Sequence, residues 1–335
     1  MFDRPLRTAL VTGAGGFVGT TLVQHLLAEG TRVVALDSFE RGHRDTLPPA
    51  VHVVTGDVRD PEAVRAALLA CGGAPEAVFH LAALILVGES VAQADRYLSV
   101  NADGTRVVTE ACLEAGVPAL VLASSAAVLG PEQGGAEQLD ESAVIQPESP
   151  YGLSKWQAEQ TLAAAAATGR ISTMALRFFN VSGADCGCAE RHEPESHLIP
   201  LAVRAAWGDL PPLKVFGTDW PTPDGTCLRD YVHMRDVIAA LVRGAKYSRA
   251  TCMAGQAAHE VLHVGSGRPS SVLEVVHAVE KVMGVPVPHV LTGRRDGDIA
   301  ALVAESSKMR VLLGIEPCRD LVQMVADCVA TLRRA

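Results

Sequence analysis

The stretch Thr8-Ala-Leu-Val-Thr12-Gly13-Ala-Gly-Gly16-Phe-Val-Gly19 decides the fold of this chain. Its first five residues predict a buried strand, and the glycines after them predict a tight turn into a helix. Bare backbone at such a turn lets a pyrophosphate approach the amide groups at the helix N-terminus. The spacing is G-x-x-G-x-x-G, because Val18 occupies the last glycine position of the G-x-G-x-x-G form. We therefore predict a dinucleotide site formed by Gly13, Gly16, Phe17, Val18 and Gly19.

Asp37 follows the second predicted strand, 24 residues after Gly13. A carboxylate at that position accepts hydrogen bonds from both ribose hydroxyls of an adenosine and repels a 2′-phosphate. The pattern therefore favours NAD over NADP. Arg41 and Arg44 lie further into the loop, where arginines are more often solvated than bound to phosphate.

Strands and helices alternate through the first half of the chain. Apolar runs predict strands at 8–12, 31–36, 51–55, 77–80, 119–123 and 172–176, and helical periodicity covers 20–29, 61–70, a region near 92–115, and 151 to about 167. This alternation predicts an α/β fold with a doubly wound parallel sheet of the Rossmann type, covered by helices on both faces.

The alternation of strands and helices ends after residue 180. Residues 186–200 are polar and loop-like, and residues 210–225 are rich in Pro, Gly and Asp. We predict an NAD-binding domain over 1–180 and a smaller mixed α/β substrate-binding lobe mainly over 181–335, with part of 230–260 returning to the first domain.

Composition excludes several classes of protein. With 335 residues, 48% of them hydrophobic, the chain is neither disordered nor fibrous. A net charge of −9 argues against a nucleic-acid-binding surface. We expect no membrane span, because no apolar stretch approaches ~18 residues, and no signal peptide, because the first apolar run leads straight into the glycine loop.

The eight cysteines form no C-x-x-C pair, and most lie in apolar segments. This usage fits reduced thiols in the cytoplasm. Cys186 and Cys188, even with His192 and His197, do not match a zinc-binding spacing. We therefore predict no metal site.

Tyr151 and Lys155 stand four residues apart in Ser149-Pro-Tyr-Gly-Leu-Ser-Lys155. On a helix this spacing places a phenol and an ammonium on one face, one turn apart. A free phenol has a pKa near ~10, and a lysine ammonium with a nicotinamide cation nearby would favour the phenolate. The pair then serves as a proton-transfer base. The alternative is a buried tyrosine beside a solvated lysine, since Tyr-x-x-x-Lys is common by chance.

Small and polar residues close the third, fourth and fifth predicted strands, at the sheet edge where ligands bind. Asp57 and Val58 are placed to hold the adenine edge, and Leu81, Ala82 and Ala83 let the dinucleotide pass. Ser124 and Ser125 end the fifth strand, where Ser125 can share a hydrogen bond with the substrate oxygen that Tyr151 deprotonates. Asn101 is a polar anchor inside a helix.

Together these residues resemble the extended short-chain dehydrogenase/reductase superfamily. Later motifs narrow the resemblance to the UDP-glucose 4-epimerase family: Arg177-Phe-Phe-Asn180-Val-Ser-Gly183, His197-Leu-Ile-Pro200, Gly225-Thr-Cys-Leu-Arg229-Asp-Tyr-Val-His233 and Arg294-Arg-Asp-Gly-Asp298. The likeness runs from Leu10 to about Leu313.

The resemblance implies a role for each matching residue. Tyr151 is the catalytic acid/base, Ser125 its hydrogen-bonding partner, and Lys155 binds the nicotinamide ribose and the phenol. Further cofactor contacts are implied for Asn101, Ser124 and Phe178. Contacts to a nucleotide-sugar are implied for Ser125, Asn180, His197, Leu198, Phe216, Arg229, Arg295 and Asp298.

The implied activity is that of an isomerase of galactose metabolism that acts as a homodimer. It inverts the carbon-4 hydroxyl and interconverts UDP-glucose and UDP-galactose through a transient 4-keto sugar, with NAD tightly bound. The alternative is a UDP-N-acetylglucosamine 4-epimerase or another nucleotide-sugar epimerase or dehydratase. Leu302 is intermediate in size where the family limits the N-acetyl group, and Ile85 and Leu129 also depart from the pattern.

Two rivals differ in their chemistry. A 4,6-dehydratase needs carboxyl groups beside the catalytic hydroxyl, and Ser125-Ala126-Ala127 carries none. A noncatalytic NAD-binding regulatory protein of the same fold has no use for Ser125, Tyr151 and Lys155 together.

Overall fold

The computed structural model describes residues 4–130, 138–295 and 297–332. The chain divides into two compact units. The first consists of Met1–Leu129, Pro147–Arg177 and Ile238–Leu262, and the second of Gly130–Gln146, Phe178–Val237 and His263–Ala335. Residues 238–262 lie in the first unit and overlap the range 230–260, part of which was predicted to return there. Which ligand each unit holds stays a prediction.

The elements are numbered in chain order. The strands are β1 Thr8–Thr12, β2 Arg32–Asp37, β3 His52–Thr55, β4 Ala77–His80, β5 Ala119–Ser125, β6 Ser172–Phe178, β7 Asn180–Ser182, β8 Leu213–Phe216, β9 Leu228–His233, β10 His259–Val264, β11 Pro269–Ser271, β12 His289–Thr292 and β13 Ala301–Leu302. The α-helices are α1 Phe17–Ala28, α2 Pro61–Ala70, α3 Val87–Ala92, α4 Ala94–Tyr97, α5 Gly104–Ala115, α6 Pro150–Ala166, α7 Leu198–Trp207, α8 Met234–Met253, α9 Val272–Met283, α10 Ser307–Leu313 and α11 Leu321–Leu332.

The first unit is built on a seven-stranded sheet in the order β10-β6-β5-β4-β1-β2-β3. Strand β1 runs parallel to both neighbours, so Leu10 lies beside Val34 of β2 and Val78 of β4. These side chains are buried with apolar residues of α2, α5 and α6. The predicted doubly wound α/β fold is confirmed. The strand order reverses between β1 and β4, which opens a crevice at the carboxyl ends of these strands.

Local signals explain where two of the flanking helices begin. The Asp60 side chain accepts a hydrogen bond from the Glu62 N–H at the start of α2, and Pro61 occupies the first turn. Ser149 caps α6 in the same way through the Gly152 N–H, with Pro150 next. Both are N-caps followed by a proline whose missing N–H costs nothing there.

The helix predicted near 92–115 is observed over residues 94–115, with a π-helical turn inside it. Helices α3 and α4 are short, and a π-helical turn over Leu98–Asp103 precedes α5. The extra residue of a π-turn shifts the side chains around the helix axis. In this turn Asn101 lies buried, and its amide bonds Leu84 and Ser154. The predicted helix is thus present from residue 94, and its departure from regular α-helical geometry coincides with this buried polar anchor.

The second unit is a mixed α/β lobe. Strand β9 is the centre of a four-stranded sheet, parallel to β7 and β13 and antiparallel to β11, and β8 pairs with β12 separately. Helices α7, α9 and α11 enclose its core, in which Val203, Val275 and Val325 are fully buried. Over the described ranges, no helix combines the length and the apolar character that crossing a membrane requires.

Candidate active site

The glycine loop after β1 leaves room only for backbone. Gly13 adopts φ +69°, and a Cβ there would lie 2.5 Å from the Ala82 nitrogen. A Cβ on Gly19 would lie 2.1 Å from the Gly13 carbonyl oxygen. Helix α1 then begins at Phe17 with Gly16 as its N-cap, and in the described part of the chain no N-cap side chain bonds the amides of its first turn. The N–H groups at such a helix start can bind an anion, as the sequence predicted for this loop.

Asp37, the last residue of β2, supports this loop. Its carboxylate accepts hydrogen bonds from the Gly15 N–H at 2.8 Å and the Phe39 N–H at 2.7 Å. Burial raises the pKa of Asp37, although these two hydrogen bonds act to lower it. Arg41 is paired with Glu89, and Arg44 bonds the Thr55 hydroxyl. Both arginines thus have protein partners beside the acidic strand end, which favours a ribose diol over a 2′-phosphate.

The side chains of Asp57 and Val58, just after β3, have different surroundings. Asp57 is held by the Arg59 guanidinium at 2.6 Å, and this hydrogen bond lowers the pKa of the carboxyl group. Val58 is buried and packs in the core of the first unit. Val58 packs tightly against the backbone of Gly104, because a Cβ on Gly104 would lie only 2.8 Å from a Val58 methyl group.

The segment after β4 passes close to the glycine loop. The Leu81 N–H donates to the Thr12 carbonyl oxygen, and the Ala82 N–H donates to the Thr12 hydroxyl. Ala83 precedes Leu84, whose N–H and carbonyl both bond the Asn101 amide, at 2.8 and 3.0 Å. Asn101 therefore positions this segment, and its predicted contact with the cofactor stays a prediction.

Tyr151 and Lys155 lie side by side on the buried face of α6. The Lys155 Nζ is 6.0 Å from the centroid of the Tyr151 ring and donates a 2.8 Å hydrogen bond to the Ala123 carbonyl oxygen. Both side chains are buried, Tyr151 at 8% exposure and Lys155 at 4%. The solvated lysine of the alternative interpretation is thus excluded.

Burial sets the proton affinities of this pair. It raises the pKa of Tyr151, and a hydrogen bond with the Ser125 side chain offsets part of that rise. Burial also lowers the pKa of Lys155 to about 8, against the nearby charge of Glu159, which acts to raise it. The sequence predicted a lowered pKa for Tyr151. The polypeptide by itself has the opposite effect, because desolvation of the phenolate outweighs its hydrogen bond.

Ser125 and Gly152 bring the segment after β5 against α6. The Ser125 Oγ accepts a hydrogen bond from the Ala127 N–H at 3.1 Å. A Cβ on Gly152 would lie only 2.2 Å from the Ala127 carbonyl oxygen. Only glycine at this position lets the helix carrying Tyr151 approach the strand end that carries Ser125.

A buried ion pair beneath the site escaped the sequence analysis. Glu159 is 1% exposed and accepts hydrogen bonds from the Arg177 guanidinium at 2.8 Å and the Ser124 hydroxyl at 2.5 Å. It follows Tyr151 and Lys155 at the same four-residue spacing along α6. That spacing is the signal that could have identified it. Ser124, predicted to contact the cofactor, is the partner of this carboxylate.

In the second unit, four of the predicted nucleotide-sugar residues lie together. Asp298 accepts from Arg295 at 2.8 Å and lies 3.5 Å from Arg229, and the Arg295 guanidinium is 5.4 Å from the Phe216 ring centroid. Arg229 is also fixed by the Ile299 carbonyl oxygen at 2.9 Å. Two guanidinium groups thus share one carboxylate, which leaves net positive charge in an acidic chain, as a diphosphate requires.

The remaining predicted residues lie at the ends of elements. Phe178 ends β6, Asn180 begins β7, and Leu198 begins α7 just after His197. Phe178, Asn180 and Leu198 are half-buried. In the segment predicted to hold no metal, Cys188 is buried and Cys186 is exposed, whereas the His192 and His197 rings lie 4.8 Å apart.

Comparisons with known proteins identify the family of this chain. Residues 9–251 match the family model described as the NAD dependent epimerase/dehydratase family. A UDP-glucose 4-epimerase of Streptomyces lividans is 38% identical over 322 residues, 95% of this chain and 94% of the relative. A crystal structure of the Brucella ovis UDP-glucose 4-epimerase in complex with NAD has a TM-score of 0.89 at 33% identity, covering 96% of this chain and 97% of that one.

A second structure, the Stenotrophomonas maltophila UDP-glucose-4-epimerase with bound NAD and formylated UDP-arabinopyranose, has a TM-score of 0.91 at 34% identity and covers 98% of both chains. Fold, sequence and length therefore agree over nearly the whole protein. The chain belongs to the NAD dependent epimerase/dehydratase family and, within it, to the UDP-glucose 4-epimerases.

Proposed function

We propose that this protein interconverts UDP-glucose and UDP-galactose by inverting the carbon-4 hydroxyl of the sugar, with NAD as a tightly bound cofactor. One observation carries the proposal: Tyr151 is buried with its phenol bonded to Ser125, beside a lysine whose ammonium is fixed by the Ala123 carbonyl. The relatives named above are UDP-glucose 4-epimerases, and the similarity covers most of both chains. A regulatory NAD-binding protein would not need a buried base of this kind.

The residues of the first unit fit NAD. Gly13 and Gly19 leave no room for a Cβ, so the backbone of the loop can approach a pyrophosphate closely. Within the described residues, the start of α1 offers amides that no N-cap side chain bonds. Asp37 supplies the carboxylate for the adenosine ribose. Held by these residues, NAD would supply the hydride chemistry at carbon 4 of the sugar.

Tyr151 supplies the proton chemistry. We assign it to remove the proton of the 4-hydroxyl as a 4-keto sugar forms, and to return that proton when the keto sugar is reduced on its other face. Since burial raises the pKa of Tyr151, the positive charges of Lys155 and of the nicotinamide ring are needed to stabilise the phenolate. Ser125 bonds the phenol and holds the hydroxyl in line for transfer.

Arg229, Arg295 and Asp298 hold the diphosphate end in this proposal, while the sugar turns over to present its other face. Their support is the shared ion-pair geometry of two guanidinium groups on one carboxylate. Phe216, stacked under Arg295, provides an apolar surface for the nucleotide. The net redox change of the reaction is zero, so the cofactor stays in place between turnovers.

The range of sugars that the site accepts depends on Leu302. This residue pairs with Arg229 between β13 and β9 and is half-buried. A leucine leaves more space than an aromatic side chain and less than an alanine, so UDP-N-acetylglucosamine is the second candidate substrate.

We place the protein in the cytoplasm as a homodimer. The eight cysteines are all free thiols, which fits a reducing compartment. Helix α6 presents Leu153, 38% exposed, and the exposed residues Ala164 and Ala167 follow in the same segment of the chain. Small and apolar side chains of this kind allow a helix of a second copy to approach closely.

The test is to incubate the purified protein with UDP-galactose, without added cofactor, and to quantify UDP-glucose by chromatography. We expect conversion to an equilibrium mixture, because NAD is retained from purification. A 4-keto-6-deoxy sugar as product, or no turnover with NAD shown to be bound, would reject the epimerase assignment. A parallel incubation with UDP-N-acetylgalactosamine decides whether the second substrate is accepted.

A further inference from the structure

Two histidines and two glutamates cluster in the irregular segment before α7, in the second unit. The His192 Nδ1 lies 3.0 Å from a Glu190 carboxylate oxygen, and the His192 Nε2 lies 3.6 Å from Glu195. The His197 Nδ1 lies 3.2 Å from the same Glu195 oxygen. The proposed reaction leaves Glu190, His192 and Glu195 without a role.

The donor atoms are spaced for one small cation. One ligand atom each from Glu190, His192 and His197 lies within 4.8 Å of the other two. A tetrahedral zinc ion with bonds of ~2.0–2.1 Å holds neighbouring ligand atoms roughly 3.3 Å apart. Side-chain rotations that move these atoms inward by about 1 Å are therefore sufficient to close a coordination sphere.

Glu195 is placed to orient both rings. Its side chain is 6% exposed, and its carboxylate accepts from the Ser196 N–H at 2.7 Å and the His197 N–H at 2.8 Å. One oxygen of this carboxylate lies near a ring nitrogen of each histidine, which is the arrangement of carboxylates that orient metal-bound histidines.

Charge also favours a cation. The cluster combines the two carboxylates of Glu190 and Glu195 with two imidazoles in half-buried surroundings. A divalent ion would neutralise both carboxylates. Imidazole nitrogen selects zinc and neighbouring transition metals, whereas Mg²⁺ and Ca²⁺ prefer sites made of oxygen.

We propose that Glu190, His192 and His197 bind one divalent transition-metal ion of the zinc class, with Glu195 as the carboxylate that orients the two imidazoles. No metal was predicted from the sequence because Cys186 and Cys188 with His192 and His197 match no zinc-binding spacing, and the two glutamates were not considered. The ion ties the segment after β7 to the first turn of α7, where Leu198 stands. It has no part in the carbon-4 chemistry, so its binding is measurable without any turnover.

The experiment is a metal titration of the full-length protein. The protein is stripped with a chelator, dialysed, titrated with Zn²⁺ alone, and assayed by calorimetry and by metal analysis after gel filtration. We expect one zinc ion per chain and a higher melting temperature in its presence. His192→Gln and Glu190→Gln should each weaken binding at least ~10-fold, whereas His277→Gln, an exposed histidine on α9, should bind as the unchanged protein does.

Failure of the unchanged protein to retain stoichiometric zinc would overturn the proposal, as would zinc binding that survives in both His192→Gln and Glu190→Gln. Equal affinity for Mg²⁺ would reject the assigned metal class. Circular dichroism confirms that each variant is folded. If His192→Gln does not fold, Glu190→Gln decides by itself, since it replaces an oxygen ligand by a neutral side chain of the same shape.

Discussion

In the proposed function, turnover depends most on Tyr151. Replacing it by phenylalanine removes the proton acceptor but keeps the ring that packs edge-on against Tyr97, with 6.5 Å between centroids. We expect the kcat of Tyr151→Phe to fall by ~10²–10⁴-fold. The amount of bound NAD, measured by absorbance, should not change. Tyr247→Phe on α8 is the matched control and should keep its activity. A loss smaller than about tenfold in Tyr151→Phe would remove the phenol from its assigned role.

Lys155 makes stability depend on pH. Its pKa is about 8 in the folded chain because of burial, below the ordinary value of 10.5. Between these two pH values the unfolded chain binds more protons than the folded one, so the free energy of unfolding rises with pH, by up to ~1.4 kcal/mol per unit for one proton. Denaturant unfolding of cofactor-free protein at pH 7.5, 9 and 10 should show this rise relative to Lys155→Met. The same dependence of the free energy of unfolding on pH in both proteins would contradict the lowered pKa of Lys155.

Sequence patterns identified the pair at this scale but not its environment. Four-residue spacing placed Tyr151 and Lys155 on one helix face, and both are there. The direction of the Tyr151 pKa was missed, because desolvation depends on packing that no spacing reveals. Glu159 was missed as well, since its partner Arg177 comes from β6, 18 residues away.

At the scale of elements, the approach of α6 to the end of β5 depends on one glycine. Gly152→Ala would place a methyl group 2.2 Å from the Ala127 carbonyl oxygen, so the helix must shift. We expect a loss of ~1–3 kcal/mol in the free energy of unfolding and a large loss of activity, because Tyr151 moves with the helix.

The matched control for that change is Gly88→Ala. Gly88 lies in α3, where an added Cβ meets nothing within 4 Å. Alanine there should leave the free energy of unfolding unchanged or raise it by up to ~1 kcal/mol. Equal melting temperatures for Gly152→Ala and Gly88→Ala would show that the close approach of α6 is not required.

Elements of the first unit were easier to predict than those of the second. Strands β1 and β4 and helix α2 match their predicted ranges residue for residue, since apolar runs and a proline start mark them. The short strands β7, β11 and β13 carry no such signal. They exist because each pairs with β9, which lies far from them in sequence.

At the scale of the whole molecule, one reaction accounts for the fold, for the paired carboxylate and guanidinium groups, and for the buried phenol. Hydrogen leaves carbon 4 of a UDP-sugar and returns to the same carbon from the other side. The strand order placed the dinucleotide loop and Asp37 at one sheet edge, as the alternation of elements predicted. The net charge of −9 says nothing about phosphate binding, because Arg229 and Arg295 supply positive charge locally.

The most direct measurement follows deuterium from carbon 4. UDP-galactose labelled with deuterium at carbon 4 is incubated with the purified protein in ordinary water, and the UDP-glucose formed is analysed by mass spectrometry and NMR. We predict that the product keeps the deuterium at carbon 4, now on the opposite face. Loss of the label to solvent, or its appearance at another carbon, would contradict inversion through a transient 4-keto sugar.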